Sequence, residues 1–144
     1  MSQMPKEVFI SYARADHEVA GPLVERLGSV TSVWVDIAEI LPSDRWDDEI
    51  ADAIDACTVF LLLVSPDSLR SPVVLNELAY AEQAYKPIIP LHLCPVDRVR
   101  APLCLSRLHY LTLYEGDPET NFGVLLDALR KHGVAVRAEA STPD

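Results

Sequence analysis

The architecture of this chain follows from the residues TVFLLLVSPDSLRSPVVLNEL, at positions 58–78. Residues 59–64 are all apolar and do not alternate with polar residues, which is typical of a strand buried on both faces of a parallel sheet. Ser71 and Pro72 indicate a helix start, because the serine hydroxyl can accept an unpaired backbone N–H and proline tolerates the first helical position. A buried strand leading into a helix predicts an α/β fold.

The predicted helix carries a carboxylate close to its apolar face. At about 100° per residue, Val74, Leu78 and Ala81 form one stripe, and Glu77 lies on the border of that stripe. The ordinary interpretation of Glu77 is a side chain whose stem packs and whose head reaches water. A functional role for Glu77 therefore has to be argued from the rest of the chain.

Length and composition predict one globular domain. The chain has 144 residues, of which 49% are hydrophobic and 24% are charged. Its 12 basic and 22 acidic residues give a formal net charge of -10, which opposes binding to nucleic acid or to an anionic membrane. We find no signal-peptide core at the start and no apolar run of the roughly 20 residues that a membrane helix needs. We therefore expect a cytoplasmic protein.

The three cysteines give no sign of a metal site. Cys57, Cys94 and Cys104 are odd in number, follow or interrupt apolar runs, and have no CxxC spacing. This pattern is typical of buried thiols in a reducing compartment. Zinc is not expected.

Strand and helix patterns alternate along the chain. Strands are predicted at about 7–12, 32–36, 58–64, 87–93 and 108–113, and helices at about 16–28, 46–57, from 72, and 121–131. Right-handed crossovers place such strands in a doubly wound parallel sheet of order 2-1-3-4-5, with helices on both faces. We expect the domain to span 1–133 and residues 134–144 to form a C-terminal tail or linker.

Two local expectations concern the ends of these elements. Asp16 is expected to cap the first helix, whose first turn Pro22 kinks or delays. Pro87 and Pro90 are expected at the ends of the fourth strand or at a sheet edge, because proline lacks the N–H of a central strand.

The strand order also predicts where a ligand would bind. The chain reverses direction between the first and third strands, and sheets of this type bind ligands in the crevice beside that reversal. Residues 11–14 and 65–71 border the crevice, with Asp36 and residues 37–45 beside them. Glu77 lies one to two turns into the helix behind, so this topology directs it toward the crevice.

Several common functions of this architecture lack their motifs. Residues 11–16 contain no glycine, so the G-x-G-x-x-G phosphate cradle of dinucleotide folds is missing. Ser11, Tyr12 and Ser65 stand where a phospho-accepting receiver would have acids. The G-x-S-x-G motif of α/β-hydrolases is also absent. Phosphotransfer and serine-type hydrolysis are therefore disfavoured.

The chain resembles the Toll/interleukin receptor (TIR) domain family. The matching motifs are VFISYARAD at 8–16, VD at 35–36, and the pair Ser71 and Glu77 at a spacing of six. WxxEI at 46–50 and VSP at 64–66 add to the resemblance, which covers roughly residues 7–132. It implies a flavodoxin-like five-stranded parallel sheet, in agreement with the strand order predicted above.

The resemblance implies an NAD+ nucleosidase that cleaves the nicotinamide-ribosyl bond, with Glu77 as the catalytic residue. One carboxylate suits this chemistry, because nicotinamide leaves a cationic pyridinium as a neutral molecule and needs no general acid. Glu77 would bind the ribose hydroxyls and offset positive charge on an oxocarbenium-like ribosyl group. Water as acceptor gives ADP-ribose and attack by adenine gives a cyclic isomer; both remain open. NAD+ is the substrate, and no cofactor or metal is expected.

Other positions carry over from the resemblance as substrate-binding residues. Arg14 suits a phosphate, although a surface arginine is an equal alternative. Trp46 either stacks on a base or packs in the core in register with Ile50, and Ser71 both caps its helix and lines the pocket. Residues 37–45 match the BB loop, which in the family contacts substrate and the neighbouring TIR domain. The predicted set is Phe9, Tyr12, Ala13, Arg14, Asp36, Ile37, Arg45, Trp46 and Ser71.

One departure from the family keeps a second function open. Where many members have Trp-Cys before the glutamate, this chain has Val73 and Val74. The alternative is a non-catalytic module for TIR–TIR interaction in a signalling assembly. For the enzyme, the resemblance implies activity on self-association through residues 37–45, a separate or fused sensor, and a role in bacterial antiphage defence or cell-death signalling.

Overall fold

The computed structural model describes residues 7–36, 48–96 and 110–137. The strands are β1 Val8–Ser11, β2 Val33–Asp36, β3 Val59–Val64, β4 Ile88–His92 and β5 Leu111–Thr112. The helices are α1 His17–Gly28, α2 Asp48–Ala56, α3 Pro72–Gln83 and α4 Pro118–Lys131. Short 3-10 turns, Arg14–Asp16 and Ser68–Arg70, precede α1 and α3.

The strands form one parallel sheet in the order β2-β1-β3-β4-β5, as predicted. The central strand β3 is buried along its whole length, in keeping with its unbroken apolar sequence. Ser11, the last residue of β1, pairs with Asp36 on one side and Leu62 on the other. The reversal of chain direction thus lies at β1 and β3, where Ser11 ends its strand.

Two hydrophobic layers cover the two faces of the sheet. Val8 and Ile10 of β1 pack with residues of α1 and α4, whereas Phe9 and Phe60 pack with residues of α2 and α3. Side chains alternate between the faces of a strand, so Ser11 shares the face of Phe9. Ser11 therefore points toward the layer that contains α3.

The starts of two helices differ from the expectation, α1 in how it is capped and α4 in the residue at which it begins. α1 continues through Pro22, and the side chain of Asp16 makes no cap hydrogen bond. Asp16 occupies the N-cap position of α1 as predicted, but the expected side-chain cap is wrong, because its carboxylate accepts a hydrogen bond from Ser65 instead. α4 begins three residues earlier than predicted, since Asp117 caps it by accepting from the Thr120 N–H at 2.9 Å and Pro118 takes the first turn.

Pro90 lies inside a strand that has neighbours on both sides, so the expectation for it was wrong. It pairs with Leu62 of β3 in the middle of β4. The Leu93 N–H donates to the Val64 carbonyl at 2.9 Å, and successive N–H groups alternate in direction, so the nitrogen of Pro90 faces the β5 side. Pairing with β5 begins only at Leu91. The missing N–H therefore removes no bond from the described ladders.

The chain after α4 continues in contact with the domain. Val134 is buried, the Thr31 hydroxyl donates to the Ala135 carbonyl at 2.9 Å, and the Arg137 N–H donates to the Val30 carbonyl at 2.7 Å. Packing thus extends four residues beyond position 133, the predicted end of the domain; residues 138–144 lie outside the described residues.

The cysteine predictions hold in part. Cys57 is a buried free thiol and Cys94 is a half-buried one, whereas Cys104 lies outside the described residues. Within the parts of the chain that the structure describes, no helix has the length and apolar content needed to cross a membrane.

Candidate functional site

Glu77 lies in the second turn of α3, against the carboxyl end of β1. Ser71 caps this helix by accepting from the Val74 N–H at 3.3 Å, and Pro72 occupies the first turn. Glu77 follows Val74 by three residues and precedes Leu78, both of which are buried in the layer between α3 and the sheet. The side chain of Glu77 is itself only 1% exposed. The helix thus delivers a carboxylate into the protein rather than to its surface.

The carboxylate of Glu77 is oriented by Ser11. The Ser11 hydroxyl donates to Glu77 Oε1 at 2.6 Å, and Ser11 is fully buried. This distance is typical of a hydroxyl bound to a carboxylate oxygen. A hydroxyl donor fixes the direction in which Oε1 points without bringing a counter-charge to the site. The arrangement suits a carboxylate that stabilises a developing positive charge.

A second hydrogen bond joins the loops on either side of the reversal. The Ser65 hydroxyl donates to Asp16 Oδ2, linking the segment after β1 to the segment after β3. Burial raises the pKa of the Asp16 carboxyl, the Ser65 hydrogen bond lowers it in part, and the negative charge of Asp67 raises it further. Asp16 and Ser65 thus lie together just beyond the carboxyl ends of β1 and β3, where the crevice was predicted.

The predicted site residues that follow or belong to β1 occupy different surroundings. Phe9 is buried on the Glu77 face, stacked on Phe60 with ring centroids 5.4 Å apart. Tyr12 packs in the opposite layer with α1 and α4, and its hydroxyl lies 3.3 Å from His17 Nδ1. Ala13 is buried beside it. The structure thus separates Phe9 from Tyr12 across the sheet.

The other predicted substrate-binding residues lie farther along the sheet edge or outside the described part. Arg14 is exposed in the turn before α1, and the backbone of Asp36 ends β2 beside Ser11. Ser71 is half-buried at the start of α3. Ile37, Arg45 and Trp46 lie outside the described residues, as does the segment 37–45. Their predicted roles stay predictions.

Sequence analysis placed Ser11 and Ser65 in the loops that border the crevice, but it named neither of them, nor Asp16, as a catalytic or substrate-binding residue. A signal existed for Ser11, because it is a polar residue on the Phe9 face of an apolar strand and so needs a buried partner. No signal paired Asp16 with Ser65, since 49 residues separate them and only the packing of the two loops brings them together. In the described residues, no three or more His, Cys, Asp or Glu side chains are grouped as metal ligands would be.

Comparison with known proteins agrees with this architecture. A family model of the TIR domain matches residues 8–137. A Brachypodium distachyon protein named a probable 2' cyclic ADP-D-ribose synthase is 35% identical over 88 residues, which are 59% of this chain and 39% of that protein. This chain thus spans well under half the length of that relative.

Two solved structures have the same fold. The TIR domain of the Toll-related receptor TRR-2 from Hydra magnipapillata superposes with a TM-score of 0.69 at 26% identity, covering 87% of this chain and 98% of that one. A TIR-STING receptor from C. gigas, in complex with 2',3'-cGAMP, superposes with a TM-score of 0.66 at 26% identity, covering 90% and 41%. Because the family model matches residues 8–137 and the sheet has the strand order 2-1-3-4-5 of the TIR fold, this chain belongs to the TIR domain family.

Proposed function

We propose that this chain is a TIR-domain NAD+ nucleosidase, which cleaves the nicotinamide-ribosyl bond with Glu77 as the catalytic residue. The proposal is carried by one observation, the buried Glu77 carboxylate that Ser11 orients at the carboxyl end of β1. Doubly wound sheets bind their ligands at this place. The similarity to a plant protein named as a cyclic ADP-D-ribose synthase supports NAD+ as the substrate.

The chemistry requires a carboxylate but no paired acid. As the bond to nicotinamide lengthens, the pyridinium regains its electron pair and leaves neutral, while positive charge develops on the ribosyl group. Glu77 stabilises that charge and accepts hydrogen bonds from the ribose hydroxyls, and a buried position strengthens both interactions. Water then gives ADP-ribose, or a nitrogen of the adenine gives a cyclic isomer. NAD+ acts as substrate, with no further cofactor and no metal.

The test removes the charge of Glu77 while keeping its size. Wild type and Glu77→Gln, both as dilute protein and after forced oligomerisation, are incubated with NAD+, and nicotinamide, ADP-ribose and cyclic isomers are quantified by mass spectrometry. We expect Glu77→Gln to lose about 10²-fold or more of the turnover, because the largest electrostatic contribution to the transition state is gone. The product ratio of the wild type distinguishes hydrolysis from cyclisation.

A matched control lies on the same helix. Glu82→Gln makes the same chemical change at an exposed position of α3 and should retain wild-type turnover. Unchanged turnover in Glu77→Gln, or an equal loss in Glu82→Gln, would contradict the assignment of Glu77.

A non-catalytic interaction module is the second candidate, and a specific observation favours it. Val73 and Val74 stand where many family members have Trp-Cys, so this chain lacks the aromatic side chain that precedes the glutamate in those members. If wild-type protein self-associates, as shown by light scattering, yet consumes no NAD+ in any assembled form, this function replaces the enzymatic one.

The proposal extends to assembly and biological role. The chain self-associates through TIR–TIR contacts that include residues 37–45, and a separate or fused sensor triggers this assembly. NAD+ is then consumed only when the sensor is activated. Consumption of a central metabolite arrests the cell that hosts it, which suits cytoplasmic antiphage defence or cell-death signalling. Cellular NAD+ should then fall on infection in cells that express the wild type but not Glu77→Gln.

A further inference from the structure

Two hydrogen bonds connect the β1 segment to the connection between β3 and α3. Ser11 donates to Glu77 at one point, and Asp16 accepts from Ser65 at the other. Ser11 and Leu62 pair in the sheet. Asp16 comes five residues after Ser11, and Ser65 comes three residues after Leu62. The Asp16–Ser65 bond therefore crosses from one loop to the other just beyond the end of the sheet, beside the proposed site.

The Ser65 hydroxyl also shapes the turn that leads into α3. It accepts from the Ser68 N–H at 3.0 Å, while the Ser68 hydroxyl accepts from the Ser65 N–H at 2.8 Å. Both serines are buried. The Ser71 N–H then donates to the Ser68 carbonyl at 3.2 Å, and Ser71 caps α3. One continuous set of hydrogen bonds thus runs from Asp16 to the first turn of the helix that carries Glu77.

Asp16 determines which way the Ser65 hydroxyl points. A hydroxyl has one proton to donate. Because Ser65 donates it to Asp16 in a hydrogen bond, a lone pair of the Ser65 oxygen faces the Ser68 N–H. Without the Asp16 acceptor, the hydroxyl can rotate toward other acceptors and the turn loses one of its two reciprocal bonds. Each of these bonds is buried or partly buried, where loss of a partner is costly.

We propose that Asp16, acting through Ser65, is a positioning residue that holds the Glu77 carboxylate against Ser11. This inference rests on the proposed function, since it describes the support of the proposed catalytic carboxylate. Asp16 does not touch the reacting atoms. It anchors the amino-terminal end of α3 to the same β1 segment that supplies Ser11, so that the helix cannot shift relative to the hydroxyl that orients Glu77.

The kinetic test compares Asp16→Ala and Ser65→Ala with Asp16→Asn. The alanine variants should lower kcat by about 10-fold to 10²-fold and change KM by less than about threefold, because a displaced carboxylate binds substrate but stabilises the transition state poorly. Asp16→Asn keeps an oxygen that accepts the Ser65 proton and should retain turnover within about threefold of wild type. Glu18→Ala removes an exposed acid of α1 that lies outside the proposed site and should leave kcat unchanged.

A second readout does not depend on NAD+ cleavage. In protein labelled with 13C at glutamate carboxyls, the resonance of Glu77 is identified by its loss in Glu77→Gln. It should move in Asp16→Ala and Ser65→Ala and stay at the wild-type position in Asp16→Asn and Glu18→Ala.

The two readouts separate this inference from the proposed function. A Glu77 resonance that stays in place in Asp16→Ala overturns the positioning role, whatever the kinetics. A resonance that moves as expected in a protein that cleaves no NAD+ supports the positioning role and overturns the enzymatic proposal alone. Equal effects of Asp16→Ala and Asp16→Asn on the resonance would also overturn it, because the acceptor oxygen would then be irrelevant.

Discussion

A buried carboxylate takes its direction from the groups that donate to it, and for Glu77 one donor is Ser11. The serine is the last residue of β1, so its position is set by the ladder on both sides, to Asp36 and to Leu62. The glutamate is set by a capped helix. Because a paired strand and a capped helix meet at this pair, the backbone on both sides fixes where the two side chains begin, and their hydrogen bond fixes the carboxylate between them.

Cys57 shows what burial on the same face of the sheet does to a titratable group. Burial raises the pKa of the Cys57 thiol to about 11, while the positive charge of Lys86 acts in the opposite direction. Below the pKa of the unfolded thiol, Cys57 is protonated in both states and does not affect pH dependence. At higher pH the unfolded chain releases the proton before the folded protein does, so folding stability is lost as pH rises toward about 11.

We therefore predict that the free energy of unfolding of the wild type falls across this pH window by roughly 2–3 kcal/mol more than that of Cys57→Ala. Urea unfolding at several pH values between neutrality and about 11 measures the difference. Using the alanine variant as reference removes the contribution of tyrosines and lysines that titrate in the same range. Parallel stability curves for the two proteins would show that the thiol ionises as readily in the folded state as in the unfolded one.

The helices α3 and α4 begin in the same way and differ in what they carry. Each has a cap residue followed by proline, Ser71 with Pro72 and Asp117 with Pro118, and each cap side chain accepts a backbone N–H three residues on. Only α3 carries Glu77. Removing either cap should destabilise its helix by a similar amount. Only removal of the Ser71 cap should also disturb the proposed site, because only α3 carries Glu77.

We predict that Ser71→Ala and Asp117→Ala each lower the free energy of unfolding by about 1 kcal/mol. Ser71→Ala should also reduce NAD+ turnover by roughly 3-fold to 10-fold, since loosening the first turn of α3 displaces Glu77. Asp117→Ala should leave turnover within about twofold of wild type. Denaturant unfolding and the NAD+ assay measure the two effects, and an equal loss of turnover in both variants would attribute it to general destabilisation.

The molecule as a whole carries a formal net charge of -10, which affects how copies of it meet. Like-charged copies repel one another, and the repulsion is screened as the Debye length falls from about 30 Å at 0.01 M salt to about 8 Å at 0.15 M. A protein whose proposed activity depends on self-association should therefore respond to salt through its assembly.

We predict that NAD+ turnover per molecule rises with protein concentration, and that raising salt from about 0.01 M to 0.15 M shifts this rise to lower concentration. Light scattering on the same samples reports the assembled fraction. A covalently linked oligomer is the control, because its turnover should be nearly independent of concentration. Full turnover in samples that scatter as monomers would contradict the requirement for assembly.

Much of this architecture could be predicted from local patterns. An unbroken apolar run such as 59–64 has few alternatives to a central strand, and right-handed crossovers then leave few strand orders to consider. The placement of Glu77 followed from the same reasoning, because a border position on α3 faces the end of β1 once the helix packs on the sheet. Helical and strand periodicities are properties of neighbouring residues, so they can be recognised in the sequence without knowledge of the fold.

The contacts between distant segments could not be predicted from local patterns. Asp16 has the position of a helix cap, yet its carboxylate accepts a hydrogen bond from Ser65. Pro90 is tolerated inside the sheet because pairing with β5 starts one residue later, at Leu91. Each outcome depends on which group the packed chain places within about 3 Å, and several local arrangements of similar free energy compete for it. Periodicity and crossover handedness were thus enough to place strands, helices and Glu77, whereas the partners of Ser11, Asp16 and Ser65 were selected by packing between segments far apart in the chain.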